Sequence, residues 1–211
     1  MKNSVTCLAL TVAFSLSASD WPQWRGVNRD GILHGEPALA KLPAKPAALW
    51  QIPIGKGQGG LSLAKGTLIV LHETSVDMQQ WETAAAINST TGKIIWQTPY
   101  GLSWQYTNVY GPGPRTAPLI DGDLLFCQSA AGVLACISMD SGKLLWKKNY
   151  AKDFGAKWFG GNAPGSNGTA ASRHGNNGQP VTDAKYIYAP AGGHTGASLV
   201  CLEKKTGNLV W

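Results

Sequence analysis

The sequence predicts an all-β chain built from repeated four-stranded antiparallel sheets, and three observations predict it. The eleven-residue stretch A-I-N-S-T-T-G-K-I-I-W, Ala86 to Trp96, recurs as C-I-S-M-D-S-G-K-L-L-W from Cys136 to Trp146 and as C-L-E-K-K-T-G-N-L-V-W from Cys201 to Trp211. The three tryptophans are separated by 50 and 65 residues, too long for most helical solenoids and right for a four-stranded propeller blade with variable loops. Upstream of each copy lie short apolar runs bounded by Gly and Asp turns, the pattern of antiparallel strands.

Each copy of the motif reads as a hairpin. Gly92, Gly142 or Gly207 supplies the positive φ of a tight turn, and the polar residues before it bond the turn backbone. The runs Ile94 to Trp96 and Leu144 to Trp146 are short and apolar and are expected to be strands buried on both faces. A tryptophan at the same place in every repeat (Trp96, Trp146, Trp211) reads as a spacer whose flat surface fills the same gap between neighbouring repeats.

In chain order, residues 1–19 carry Lys2, an apolar run from Val5 to Leu16 and small residues at the end, the pattern of a secretory signal peptide cleaved after Ser17 or Ser19. Residues 20–46 are irregular and proline-rich, with Trp21, Trp24 and Arg25 close together, and are expected to wrap over the surface of the repeats. Residues 47–211 hold the repeats. Ala47 to Ile54 reads as a lone strand with Trp50, the outer strand of a blade whose other strands lie elsewhere. The first repeat has strands at Leu61 to Leu63 and Thr67 to His72, then a longer connection through Asp77 to Trp81 to Ile87. The second has Thr116 to Ile120, a turn at Asp121-Gly122-Asp123, Leu124 to Gln128, a turn at Ala130-Ala131-Gly132, and Val133 to Ile137. The third has Gln179 to Thr182, Lys185 to Ala189, a Gly192-Gly193 turn, and Ala197 to Leu202.

The pattern A-x-[DN]-x-x-T-G-x-x-x-W resembles the tryptophan-docking motif of PQQ-repeat β-propellers, the family that holds quinoprotein alcohol dehydrogenases and the outer-membrane assembly lipoprotein BamB. Ala86 to Trp96 fits it fully; the second copy has Cys136, Ser138 and Ser141 at the Ala, acid and Thr places, and the third has Cys201 and Glu203. The opening W-P-Q-W-R-G-x-N-R-D-G, Trp21 to Gly31, is similar to the start of many secreted members. The resemblance implies a propeller of four-stranded antiparallel blades. About three are present, and because a ring needs four to eight, the chain is expected to be the N-terminal part of a seven- or eight-bladed protein. Catalytic members carry a vicinal disulfide over the cofactor; no two cysteines are adjacent here. The lipidation context of the assembly lipoprotein is not found at Cys7.

With Cys7 in the leader, Cys127, Cys136 and Cys201 remain, an odd number in an exported chain. Two of them occupy the small-residue place of the motif, which reads as tight packing; Cys127 and Cys136 pair only if they face the same side of their hairpin. The net charge of +6 is spread over dispersed Lys and Arg, a solvated basic surface with no nucleic-acid stripe. The sequence lacks H-E-x-x-H, G-x-S-x-G and a P-loop; His34, His72, His174 and His194 have no metal-ligand spacing, and the acids are too scattered to nominate an acid/base pair.

Two connections are candidate contact regions. Tyr100 to Arg115, with Tyr106, Tyr110 and Arg115, suits flat contacts with sugars, planar ligands or proteins, and equally the packing of a loop on a blade edge. Asp153 to Gln179 is a Gly- and Asn-rich insertion containing Trp158. The expected functions are a secreted binding or assembly scaffold with no catalytic residue in this segment and no evident cofactor, or an exported dehydrogenase with PQQ and calcium in the channel of the complete ring. The partners expected are a protein or polysaccharide and the remaining blades of the same chain, with no nucleic acid and no transmembrane segment.

Overall fold

A computed structural model describes residues 19–36, 41, 43–103, 111–156, 175–192 and 197–211. They form three antiparallel sheets joined in sequence. The first has β1 (Ser62–Ala64), β2 (Thr67–Val76), β3 (Gln79–Asn88) and β4 (Ile94–Leu102) in spatial order. The second has β5 (Leu119–Asp121), β6 (Leu124–Gln128), β7 (Val133–Ser138) and β8 (Leu144–Asn149), followed by a single-turn helix α1 (Tyr150–Phe154). The third has β9 (Val181–Thr182), β10 (Tyr186–Ala189) and β11 (Val200–Glu203). Its outer edge is continued by residues 208–211, where Val210 N–H donates to Cys201 O and Cys201 N–H to Trp211 O, each at 2.9 Å.

The core lies between the sheets, because alternate residues of a strand leave opposite faces. Ile69, Leu71, Ala84 and Ala86 of the first sheet pack on Leu125, Cys127, Ala135 and Ile137 of the second. The intervening residues Phe126, Leu134 and Cys136 pack on Ile187, Ala189, Val200 and Leu202 of the third. Cys127 and Cys136 therefore face different seams and cannot pair; all three described cysteines are buried free thiols. Burial pushes the Cys136 thiol up to about 12, so it acts as a small apolar filler. Sheets stacked face to face through shared seams, each sheet a meander running from an inner to an outer strand, are the blades of a partial β-propeller.

Each blade has two ends. Its β1–β2 and β3–β4 type turns lie at one, termed here the docking end. The β2–β3 type turn and the return from an outer strand to the next inner strand lie at the other, the return end.

Four expectations change. Ile94 and Ile95 are 44% and 53% exposed, because β4 is the outermost strand and has a neighbour on one side only. The connection through Asp77 is a two-residue turn between ten-residue strands: Asp77 and Met78 have φ of 50° and 61°, both left-handed, which fits the right-handed twist of the strands. Ala47 to Ile54 forms no ladder, since among the described residues no strand lies beside it. Residues 20–24 do not wrap the outside; they cross the innermost strands. Trp21 pairs with Leu63 through bonds of 2.8 and 2.9 Å, Pro22 O accepts from Ile120 N–H at 2.8 Å, and Trp24 N–H donates to Gln179 Oε1 at 3.1 Å, so one segment touches all three blades.

Candidate functional site

The repeat motif places its glycines where no side chain fits. A Cβ on Gly142 would lie 2.6 Å from Trp96 Cδ2, on Gly207 2.7 Å from Trp146, and on Gly92 2.7 Å from Trp50. Each indole thus lies flat on the glycine turn of the following repeat, and its Nε1–H donates to a carbonyl of that turn: Trp50 to Ser89 O at 2.9 Å, Trp96 to Met139 O at 2.9 Å, Trp146 to Lys204 O at 2.8 Å. Trp50, which lies outside any ladder, docks in the same way as the tryptophans of complete repeats. Trp211 is 57% exposed and meets the Tyr188 ring at 6.1 Å between centroids.

Solved structures similar to this chain include BamB from Moraxella catarrhalis at 15% identity and TM-score 0.49, covering 78% of this chain and 42% of that one. A quinohemoprotein alcohol dehydrogenase from Comamonas testosteroni matches at 14% and 0.49, covering 75% and 21%. A europium-containing methanol dehydrogenase matches at 13% and 0.47, covering 75% and 25%. The chain therefore spans less than half of the length of each. No family model and no curated protein matches the sequence.

At the return end, the seam between the first two blades gathers the polar groups. The tight turn at Asp77-Met78 sets Glu73 on β2 directly opposite Glu82 on β3. Glu82 is 0% exposed. Its Oε2 accepts the Tyr100 hydroxyl at 3.0 Å, and its Oε1 accepts Ala130 N–H, from the β6–β7 turn of the next blade, at 3.0 Å. Loss of hydration pushes the Glu82 carboxyl up to about 8. The Ala130 and Tyr100 bonds and the Arg115 charge oppose that rise, and Glu73 adds to it. Glu73 Oε1 accepts the Ser103 hydroxyl at 2.6 Å.

Tyr100 reaches this seam because β4 carries an extra residue there: Glu82 pairs with Gly101 and Thr83 with Pro99, leaving Tyr100 as the bulge. Gly101 permits the close approach, since a Cβ on it would meet Ser129 and Val133 of the second blade at 3.2 to 3.3 Å.

His72 holds the run Gly55 to Gly60 against β2. Gly55 N–H donates to its Nδ1 at 3.0 Å, so the Nε2 carries the proton and donates to Gln97 Oε1 at 3.1 Å. Burial keeps this imidazole below its ordinary value. A Cβ on Gly55 would lie 1.8 Å from Glu73 O and one on Gly59 2.2 Å from Thr116 O, which explains glycine at both.

Of the sequence-derived contact candidates, Arg115 stands half-buried beside this cluster, its Nη2 donating to Gly111 O at 2.8 Å. Tyr106, Tyr110 and Trp158 lie outside the described residues, as do His174 and His194. The Glu73–Glu82 pair, which the β2–β3 register brings together, is one that the scattered acids of the sequence do not nominate. Its signal was the equal spacing of both residues from Asp77-Met78, legible only once that dipeptide is taken as a two-residue turn.

Among the described residues no three His, Cys, Asp or Glu side chains converge in a way that could hold a metal ion. The two facing carboxylates are engaged by Ser103, Tyr100 and the Ala130 amide, so this donor set does not fit a calcium ion with PQQ, and no chemical step is derived through them. No described helix is long and apolar enough to cross a membrane.

Proposed function

We propose that this chain belongs to an exported seven- or eight-bladed propeller that acts as a binding or assembly scaffold, and that the return end is its contact face. The carrying observation is topological. Both long connections, residues 103–118 and 155–180, leave an outer strand and enter the next inner strand, so their anchors stand at the same end of adjacent blades. On this reading Tyr106, Tyr110, Arg115 and Trp158 meet a protein or polysaccharide partner, and residues 1–19 are the export leader.

The reading is tested by titrating the full-length protein with soluble oligosaccharides and with extended unfolded polypeptide, and repeating this with Tyr106→Ala and Trp158→Ala. Binding lost in both variants, with the thermal midpoint unchanged, supports it. Turnover of alcohols or sugars by full-length protein given PQQ, calcium and an artificial electron acceptor overturns it in favour of the dehydrogenase.

A further inference from the structure

Residues 19–36 make two passes beside the inner strands. The first starts at the docking end, where Asp20 Oδ1 accepts Lys65 N–H from the β1–β2 turn at 2.9 Å. Trp21 then pairs antiparallel with Leu63 of β1, and Trp24 arrives at the return end: a Cβ on Gly60, just ahead of β1, would lie 3.6 Å from Trp24 Cε3. There the chain reverses. Arg25, Gly26, Arg29 and Gly31 take left-handed φ between 59° and 79°, and Glu36 Oε1 accepts the Ser19 N–H at 3.1 Å, so residues 25–36 run back to the docking end. Polar groups of this second pass bond within the segment: Arg29 Nε donates to Gln23 Oε1 at 3.1 Å, Arg25 Nη2 to Asp30 O at 3.3 Å, and the His34 ring meets Asp30 Oδ2 at 2.6 Å. Its large apolar side chains Val27, Ile32 and Leu33 are exposed, as is Trp24.

We infer, resting on the ring proposed above, that residues 20–36 are a plug filling the central channel of the complete propeller, with Trp24, Val27, Ile32 and Leu33 seated on the inner strands of the blades that follow the third. Inner strands line the channel of a propeller. The first pass already holds the channel-facing edge of two of them, since Trp21 bonds β1 twice and Pro22 O accepts Ile120 N–H of β5. With these blades on one side of the first pass, the second pass stands over the axis. The exposed apolar residues are those that the three blades leave uncovered, and in a closed ring the surface facing them is further inner strands. Seating them there continues the contact made with the first two blades and removes an apolar patch from water. A channel filled along its length has no room for a ligand on the axis, which leaves the rim at the return end for partners.

Thiol labelling of the full-length protein, read peptide by peptide, tests the plug. The described native cysteines are buried, and Val27→Cys, Leu33→Cys and the reference Met78→Cys each add one accessible thiol. Val27 and Leu33 are 62% and 47% exposed beside the three blades and Met78 97%, so exposure alone separates their rates by only about twofold. The plug predicts that Val27→Cys and Leu33→Cys label at least about fivefold more slowly than Met78→Cys and match it in denaturant; a smaller difference in the folded protein overturns it. Should these variants fail to fold, trypsin on the unsubstituted protein decides: the Arg25–Gly26 bond is expected to resist until the ring unfolds, and cleavage there in the folded protein overturns the plug. Solution scattering separates this from failure of the ring itself. A closed disc in which both thiols react freely overturns the plug alone, and an open arc overturns both.

Discussion

At the scale of single residues, the sequence shows which side chains recur and hides which ones meet. The docking tryptophans and their glycines are legible because the motif repeats in phase, whereas Glu82, the most perturbed acid described here, sits in a stretch with no counterpart in the other repeats. Its environment becomes visible only when β3 and β4 are paired and the bulge at Tyr100 is placed. One consequence is a distinctive dependence of stability on pH. The unfolded chain ionises Glu82 near the ordinary value of 4.5 and the folded chain near 8, so across that window the folded state holds the extra proton. Stability contributed at this position therefore falls as pH rises from about 4.5 to about 8 and is level above, by at most about 1.4 kcal/mol per pH unit. Glu82→Gln removes the effect. In paired denaturant titrations the variant is expected to gain on the parent steadily across that window, and a constant difference from pH 5 to pH 9 contradicts the assignment.

At the scale of elements, the two central strands of the second blade are readable nearly to the residue, since Leu124 to Gln128 is bounded on both sides by glycine-containing turns, whereas the inner strand expected over Thr116 to Ile120 is Leu119–Asp121 and the outer one runs on to Asn149. The first blade was misread where its turn lacks glycine: Asp77-Met78 takes two left-handed residues, one of them a methionine with φ of 61°. A left-handed methionine costs about 1–2 kcal/mol relative to glycine. Met78 is almost wholly exposed and packs on nothing that would offset this. Met78→Gly is thus expected to stabilise the β2–β3 hairpin by about 1 kcal/mol, read as slower exchange of the Val76 and Gln79 amides, which close the turn; faster exchange would show that the turn is not of this type. The outer strands were misjudged for a different reason. Apolarity alone does not distinguish a central strand from a rim strand whose isoleucines cover a neighbour on one side only.

At the scale of the whole molecule, what joins the blades is a step from one repeat into the next. The Trp50, Trp96 and Trp146 indoles each close on the glycine turn of the following repeat, while residues 20–24 bond the inner strands of the first two blades and the Gln179 side chain just before the third. The period announces the first connection; nothing in the composition of residues 20–46 announces the second, because that segment contributes only its backbone groups to it. The account stands on the indole step, and a double-mutant cycle at Trp96 and Gly142 tests it most directly. Gly122 has the same left-handed backbone, φ 62°, with open space where a Cβ would go, and so provides the reference. Gly142→Ala in the parent is expected to cost about 2–4 kcal/mol, because the methyl must displace the Trp96 ring, whereas in the Trp96→Ala background it should cost only the roughly 1–2 kcal/mol of Gly122→Ala. Equal costs in both backgrounds would contradict the claim that this indole is what locks one blade to the next.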